Sequence, residues 1–183
     1  MPTDEHDKKP AIDWEKYGHL FRTLQVPAKT TLLQEGQIAR QAYFIQKGCI
    51  RLWFNNNGKD ISFQFFFENE AVSSVESFRS GEPSLFGMET LEPCELLVIS
   101  KENFDRLMEE MPGSKDMLLE VLHQRVAHYF KLFLSRIKDS PEKRYADLLQ
   151  QSPRLLQRIP QHYIASYLGI TPVSLSRIRN RIS

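Results

Sequence analysis

Cysteine is scarce in this chain, and its scarcity is informative. Cys49 and Cys94 are the only two among 183 residues, they stand far apart, and they form no CxxC pair. A disulfide framework needs a denser set, so both read as reduced, buried small hydrophobes of a cytoplasmic protein. Long apolar runs are missing too. The longest apolar-rich stretch, Phe63 to Phe67, is strand-sized, far short of the ~20 residues of a membrane-spanning helix. The leading segment MPTDEHDKKP is charged and lacks the apolar heart of a signal peptide. No glycine-rich phosphate loop occurs, and Ser73, Ser74 and Ser77 lack the glycine pattern of a nucleophile elbow. The five histidines, His6, His19, His123, His128 and His162, show no metal-ligand spacing on one helix face. These absences argue against an enzyme and predict neither a metal nor a cofactor.

What is present is ordinary for a globular protein, with 41% hydrophobic and 26% charged residues. The formal net charge of +1 conceals an uneven distribution. Residues 140–183 carry seven Lys and Arg against two Asp and Glu, whereas the first 139 residues have a net charge of −4. A basic C-terminal part on an acidic body points to a polyanionic partner at that end.

Residues 1–10 are expected to be a disordered lead. Ile12, Trp14, Tyr17, Leu20, Phe21 and Leu24 have helical spacing and predict a helix over 11–24. From Val26 to about Ser100 the pattern becomes short strands separated by turn residues. Lys29–Leu33 meets Glu35-Gly36, Ala42–Gln46 meets Lys47-Gly48, and Ile50–Phe54 runs into Asn55-Asn56-Asn57-Gly58 before Ile61–Phe67 returns. Asn-Gly tolerates the positive φ angles of a tight hairpin. Glu95–Ser100 adds another buried strand, and the whole predicts a sandwich, jelly roll or barrel.

Beyond Ser100 the pattern turns helical. Glu102–Glu110 ends at Pro112-Gly113, and Ser114 is expected to cap a run reaching about Lys138. Within it Leu119, Leu122, Val126, Tyr129 and Phe133 step by three and four, which is coiled-coil spacing. The seam packs either on the protein's own barrel or on a second copy. So long a helix outruns a small barrel, which favours the dimer. Pro141 opens the next helix, Glu142–Gln151, which Ser152-Pro153 ends.

The segment RIPQHYIASYLGITPVSLSRIRNRIS, from Arg158 on, matches a helix-turn-helix position by position. Ala165 is small where the second helix crosses, and Gly169 suits a left-handed turn. Ile164, Leu168, Ile170, Leu175 and Ile178 face inward. Thr171 can cap the second helix, with Pro172 in its first turn, where a missing N–H costs nothing. Val173, Ser174, Ser176, Arg177, Asn180 and Arg181 are left outward or on the flanks, with Arg179 close by. Arg177 has the chemistry for a bidentate contact to guanine, Val173 for a thymine methyl, and Arg179 and Arg181 for phosphates. The competing reading is a plain helical hairpin whose charges are merely solvated. The absence of any acid on that face weighs against it.

In this order, barrel, seam helix and helix-turn-helix, the chain resembles the cyclic AMP receptor protein (CRP/FNR-type) family of bacterial transcription regulators over about residues 15–183. The carriers are LLQEGQIARQAYFIQKGCIRL with Gly36 and Gly48, ELLVISKENFDRL, and YLGITPVSLSRIR. The resemblance implies an α+β fold: an N-terminal cyclic-nucleotide-binding-like β-roll (jelly roll), a long dimerisation helix, and a C-terminal helix-turn-helix of winged-helix type, its wing short or absent. The implied domains are a sensor at 11–113, the dimerisation helix at 114–139 and a DNA-binding unit at 140–183. The partners implied are double-stranded DNA, a second copy of the chain and a small-molecule effector if one exists, with no membrane.

Two departures matter. The nucleotide-gripping segment is AVSSVESFRSGEPSLFGMETL here, with Ser74 at the family's acidic ribose position and Pro83 at its phosphate arginine, beside the matching Ser84. Ser73, Ser74, Glu76, Arg79 and Ser84 are the candidate effector contacts. A buried phosphate without a charged partner is unfavourable, so cyclic AMP is not expected to bind in the usual way. The family's β-hairpin wing is not found before the last residue, Ser183. The sequence is either cut short or wingless, and modest, salt-dependent DNA affinity is expected. Two scattered cysteines also exclude the iron–sulfur branch of the family. The alternative function is a ligand-binding or protein-interaction module that has lost sequence-specific DNA binding.

Overall fold

The computed structural model describes residues 13–182. The expected disordered lead at 1–10 lies outside that range. The helix expected over 11–24 is far shorter. α1 (Trp14–Tyr17), capped by Asp13, passes into a 3-10 turn at Gly18–Leu20, and Phe21 already begins β1 (Phe21–Val26). Pairing overrides the helical spacing here. All six residues of β1 lie in antiparallel register with β8 (Cys94–Ser100), from Phe21 opposite Ile99 to Val26 opposite Cys94.

The strands between them are β2 (Thr31–Leu33), β3 (Gln41–Lys47), β4 (Ile50–Asn56), β5 (Lys59–Phe66), β6 (Ala71–Val72) and β7 (Gly87–Thr90), with α2 (Val75–Ser80) before β7. They form two antiparallel sheets, β1-β8-β3-β6 and β2-β7-β4-β5. Alternation sends Tyr43, Ile45, Ile50, Leu52, Phe66, Met88, Leu96 and Val98 into one core between the sheets. The predicted β4–β5 hairpin forms, with Asn57 and Gly58 both at positive φ (53° and 84°). Gly48 is required at its turn, since a Cβ there would lie 2.4 Å from Cys94 Sγ and 2.9 Å from the Pro93 carbonyl. Both cysteines are unpaired and buried, and burial pushes each thiol up, away from its reactive thiolate.

α3 (Lys101–Glu110) is capped by Ser100 and packs with Tyr17, Leu20 and Ile99 under the β1–β8–β3 sheet. α4 (Ser114–Lys138) has 25 residues, and its start differs from the expectation. The capping position is Gly113, at φ 76°, and Ser114 is already helical, its hydroxyl donating to the Met108 carbonyl. α5 (Pro141–Gln151) begins as predicted, with Ser140 accepting from the Lys143 N–H. Pro153, read as a terminator, instead opens a further helix, α6 (Pro153–Arg158). Proline fits the first turn of a helix as well as the end of one. α7 (Gln161–Leu168) and α8 (Pro172–Ile182) complete the described chain. No helix among the described residues is long and apolar enough to cross a membrane.

Candidate DNA-reading and effector sites

The α7–α8 pair is built as a helix-turn-helix. Gly169 sits at φ 71°, its N–H bonds the Ser166 carbonyl, and the Ile170 N–H reaches back to the Ala165 carbonyl. This crossed pair is the Schellman ending of α7. Arginines from two earlier helices clasp the same turn. Arg136 of α4 donates to the Tyr167 carbonyl, and Arg144 of α5 donates to the Leu168 carbonyl at 3.0 Å. Ala165 is fully buried where α8 crosses, and Ile164, Leu168, Leu175 and Ile178 are buried around it, with Ile170 half-buried. Thr171 Oγ1 accepts from the Ser174 N–H at 3.1 Å and starts α8.

The expected readers therefore divide by position. Val173, Ser176, Arg177, Asn180 and Arg181 are exposed along one stripe of α8, as is Thr171 at its start. Ser174 is half-buried, its hydroxyl 3.0 Å from that of Thr171, and Arg179 is half-buried on the flank. Neither the first nor the last turn of α8 holds an acid, and the last turn holds Arg179 and Arg181.

The candidate effector residues do not come together in the same way. Ser74 and Ser84 are buried, their hydroxyls 2.8 Å apart, and Ser84 Oγ is also 2.7 Å from the Phe86 carbonyl. Ser73 donates to the Gln41 carbonyl, which ties its loop to β3. Glu76 and Arg79 are exposed on α2. The buried hydroxyls are thus engaged in holding the loop, and the one guanidinium of the set lies on the surface. Two features were missed by the sequence reading. Ser77 accepts from the Ala39 N–H and donates to the Glu82 carbonyl. The buried Gln64 Oε1 has no hydrogen-bond partner among the described residues, and Gln64 stands opposite Leu52, whose side chain is in the inner core.

Along α4, Leu119, Val126 and Phe133 are exposed as expected, Tyr129 is partly so, and Leu122 is half-buried. Phe130, Leu134 and Ile137, not singled out from sequence, are exposed as well, Ile137 to 69%. Leu119, Val126, Phe130, Phe133 and Ile137 form one continuous stripe at steps of seven, four, three and four. Leu122 and Tyr129 flank it. Arg125, about 100° round the helix from Val126, donates to the Ala71 carbonyl and covers the Phe66 ring at 4.6 Å, which fastens α4 to the roll.

Comparison with known proteins agrees with this architecture. Residues 23–111 match the cyclic nucleotide-binding domain family. The cAMP-activated global transcriptional regulator CRP of Salmonella typhimurium is 23% identical over 117 residues, 63% of this chain and 53% of that protein. The chain thus aligns with about half the length of the curated relatives it matches. Among solved structures, the c-di-GMP-responsive global regulator CLP of Xanthomonas campestris superposes with a TM-score of 0.74 at 17% identity, covering 92% of this chain and 89% of that one. FixK2 of Bradyrhizobium japonicum gives 0.78 at 14% identity, covering 88% and 84%. Over residues 23–111 the chain is similar to cyclic nucleotide-binding domains, and it shares the fold of the regulators CLP and FixK2.

Proposed function

We propose that the protein is a cytoplasmic, non-enzymatic transcription regulator, a homodimer in which the roll controls DNA binding by α8. The proposed units are a sensor (11–113), a dimerisation helix (114–139) and a DNA-binding unit (140–183). The observation that carries the reading is the cationic stripe of α8, with Arg177, Asn180 and Arg181 exposed on a helix that Gly169 and Ala165 set at the proper crossing. Arg177 reads a base edge, Val173 a thymine methyl, and Thr171, Ser174, Ser176, Arg179, Asn180 and Arg181 supply phosphate or base contacts. The exposed stripe from Leu119 to Ile137 is the dimer seam, because a lone chain rarely leaves so many large apolar groups in water.

The effector, where one acts, is not held as cyclic AMP is held in the family's usual way, because nothing at Ser74, Pro83 or Ser84 replaces a phosphate-binding arginine.

Selection from a random-sequence duplex pool tests the function. Fluorescence anisotropy at low and physiological salt, followed by sequencing of the bound fraction, should enrich a two-fold symmetric site with half-sites about one helical turn apart. A protein that binds no duplex even at low salt would be an interaction module instead.

A further inference from the structure

The outer face of the β4–β5 sheet is a second organised surface, and α6 and α7 lie on it. Phe65 and Cys49 share a buried cluster with Tyr163, Ile164 and Leu168, and the Phe65 and Tyr167 rings meet edge-on at 5.4 Å. The Ser62 N–H donates to Ser166 Oγ at 3.1 Å. At one edge Lys29 hydrogen-bonds the Tyr163 hydroxyl and lies 4.4 Å from its ring centre. At the other, Arg158 pairs with both Glu68 and Glu92, and Arg154 pairs with Glu68. Both guanidiniums also cover the Phe67 ring at about 5 Å.

These two arginines belong to the basic part of the chain, where duplex phosphates are expected to bind, yet here carboxylates of the roll hold them. A carboxylate pair and a polyanion cannot both occupy the same guanidiniums, and like charges across such a boundary repel. We propose that the β4–β5 face is an intramolecular docking site that holds the helix-turn-helix in a parked state, and that DNA competes with Glu68 and Glu92 for Arg154 and Arg158. This inference rests on the DNA-binding reading. In it the roll and the duplex are rival partners for Arg154 and Arg158, and docked molecules, whose α8 stripe is still exposed, bind DNA more weakly.

Two variants of the full chain test it, each read by hydrogen exchange of β5 amides and by anisotropy on a labelled duplex. Glu68→Gln/Glu92→Gln removes the carboxylates, and Lys29→Gln removes an exposed cation at the opposite edge. Each should speed exchange of the Ser62 amide by about tenfold or more as docking loosens. Each should also tighten low-salt duplex binding by about threefold or more as the parked population falls. Lys29→Gln is decisive, because losing a cation without release from docking weakens polyanion binding. Weaker or unchanged binding by Lys29→Gln alongside faster Ser62 exchange overturns the parking role. Unchanged Ser62 exchange in both variants overturns the docking contacts themselves. If wild type and variants all ignore duplex while Ser62 exchange rises, the DNA-binding reading fails and takes this proposal with it.

Discussion

The Arg51 guanidinium lies 4.2 Å from the centre of the Tyr163 ring, joining the middle of the roll to the first helix of the helix-turn-helix. Arg51 is only 3% exposed, and three polar partners hold it: Glu89, Asp60 and Ser62. A buried charge of this kind is costly to half-remove. Arg51→Leu leaves Glu89 facing an apolar wall and should cost about 3 kcal/mol in thermal or urea unfolding. A loss below about 1 kcal/mol would mean that water reaches Glu89 more freely than its burial implies.

His162 lies against Tyr163, with ring centres 3.9 Å apart and planes tilted by 45°. Burial, with Lys29 and Arg51 near, pushes its pKa below the usual histidine value. The folded state therefore favours the neutral ring, and the stability this contributes is present above about pH 6.5 and lost as pH falls through that range. His128 shifts in the same direction, through burial first and then Lys131 and Arg125. Melting temperature should fall between pH 8 and 5.5, and His162→Asn should flatten the fall. An identical slope in the variant would remove His162 from the account.

Val126→Asp places a charge in the middle of the α4 stripe. The proposed dimer should dissociate, and DNA affinity should fall with it, since a monomer would present one recognition helix to a two-fold site. Light scattering gives the answer, because a variant that stays dimeric locates the interface elsewhere.

Arg177→Ala should weaken binding to the selected operator by about 1–3 kcal/mol and relax preference at one base pair. Arg181→Ala should instead weaken all sequences alike and reduce the salt slope by about one. Equal operator affinity for wild type and Arg177→Ala would take Arg177 off the reading face.

Cyclic AMP titrated to millimolar concentration should leave the melting temperature of the protein unchanged. Saturable stabilisation at micromolar nucleotide would show that Arg79 or another cation reaches a phosphate after the loop rearranges.

Legibility from sequence tracked the range of the interactions. The Asn57-Gly58 hairpin and the Ala165–Gly169 turn were plain, because strict local backbone demands leave few residue choices. The helix expected through Phe21 and Leu24 failed because a short window of apolar residues fits two periods, and only pairing with β8 decides between them. α6 was hidden by Pro153, because a proline marks a helix start or a helix end according to the residues after it. Which apolar column of α4 is most exposed was legible only in part, since Leu122 and Tyr129 continue the three-four spacing as well as Phe130 and Ile137 do. The docking of Tyr163 on Lys29 joins residues 134 positions apart, and no local pattern announces such a contact.

The clasp on the Gly169 turn gives α4 a mechanical advantage. Its 25 residues make an arm of about 37 Å at the rise of an α-helix. Arg125 fastens the arm to the roll, and Arg136, near its far end, grips the turn that orients α8. From Arg125 to Arg136 the arm is roughly 16 Å long, and a tilt of about 12° about Arg125 carries Arg136 roughly 3 Å, close to the separation of neighbouring base pairs. A rearrangement in the roll too slight to disturb its core would thus be enough to move the recognition helix from one base-pair step to the next.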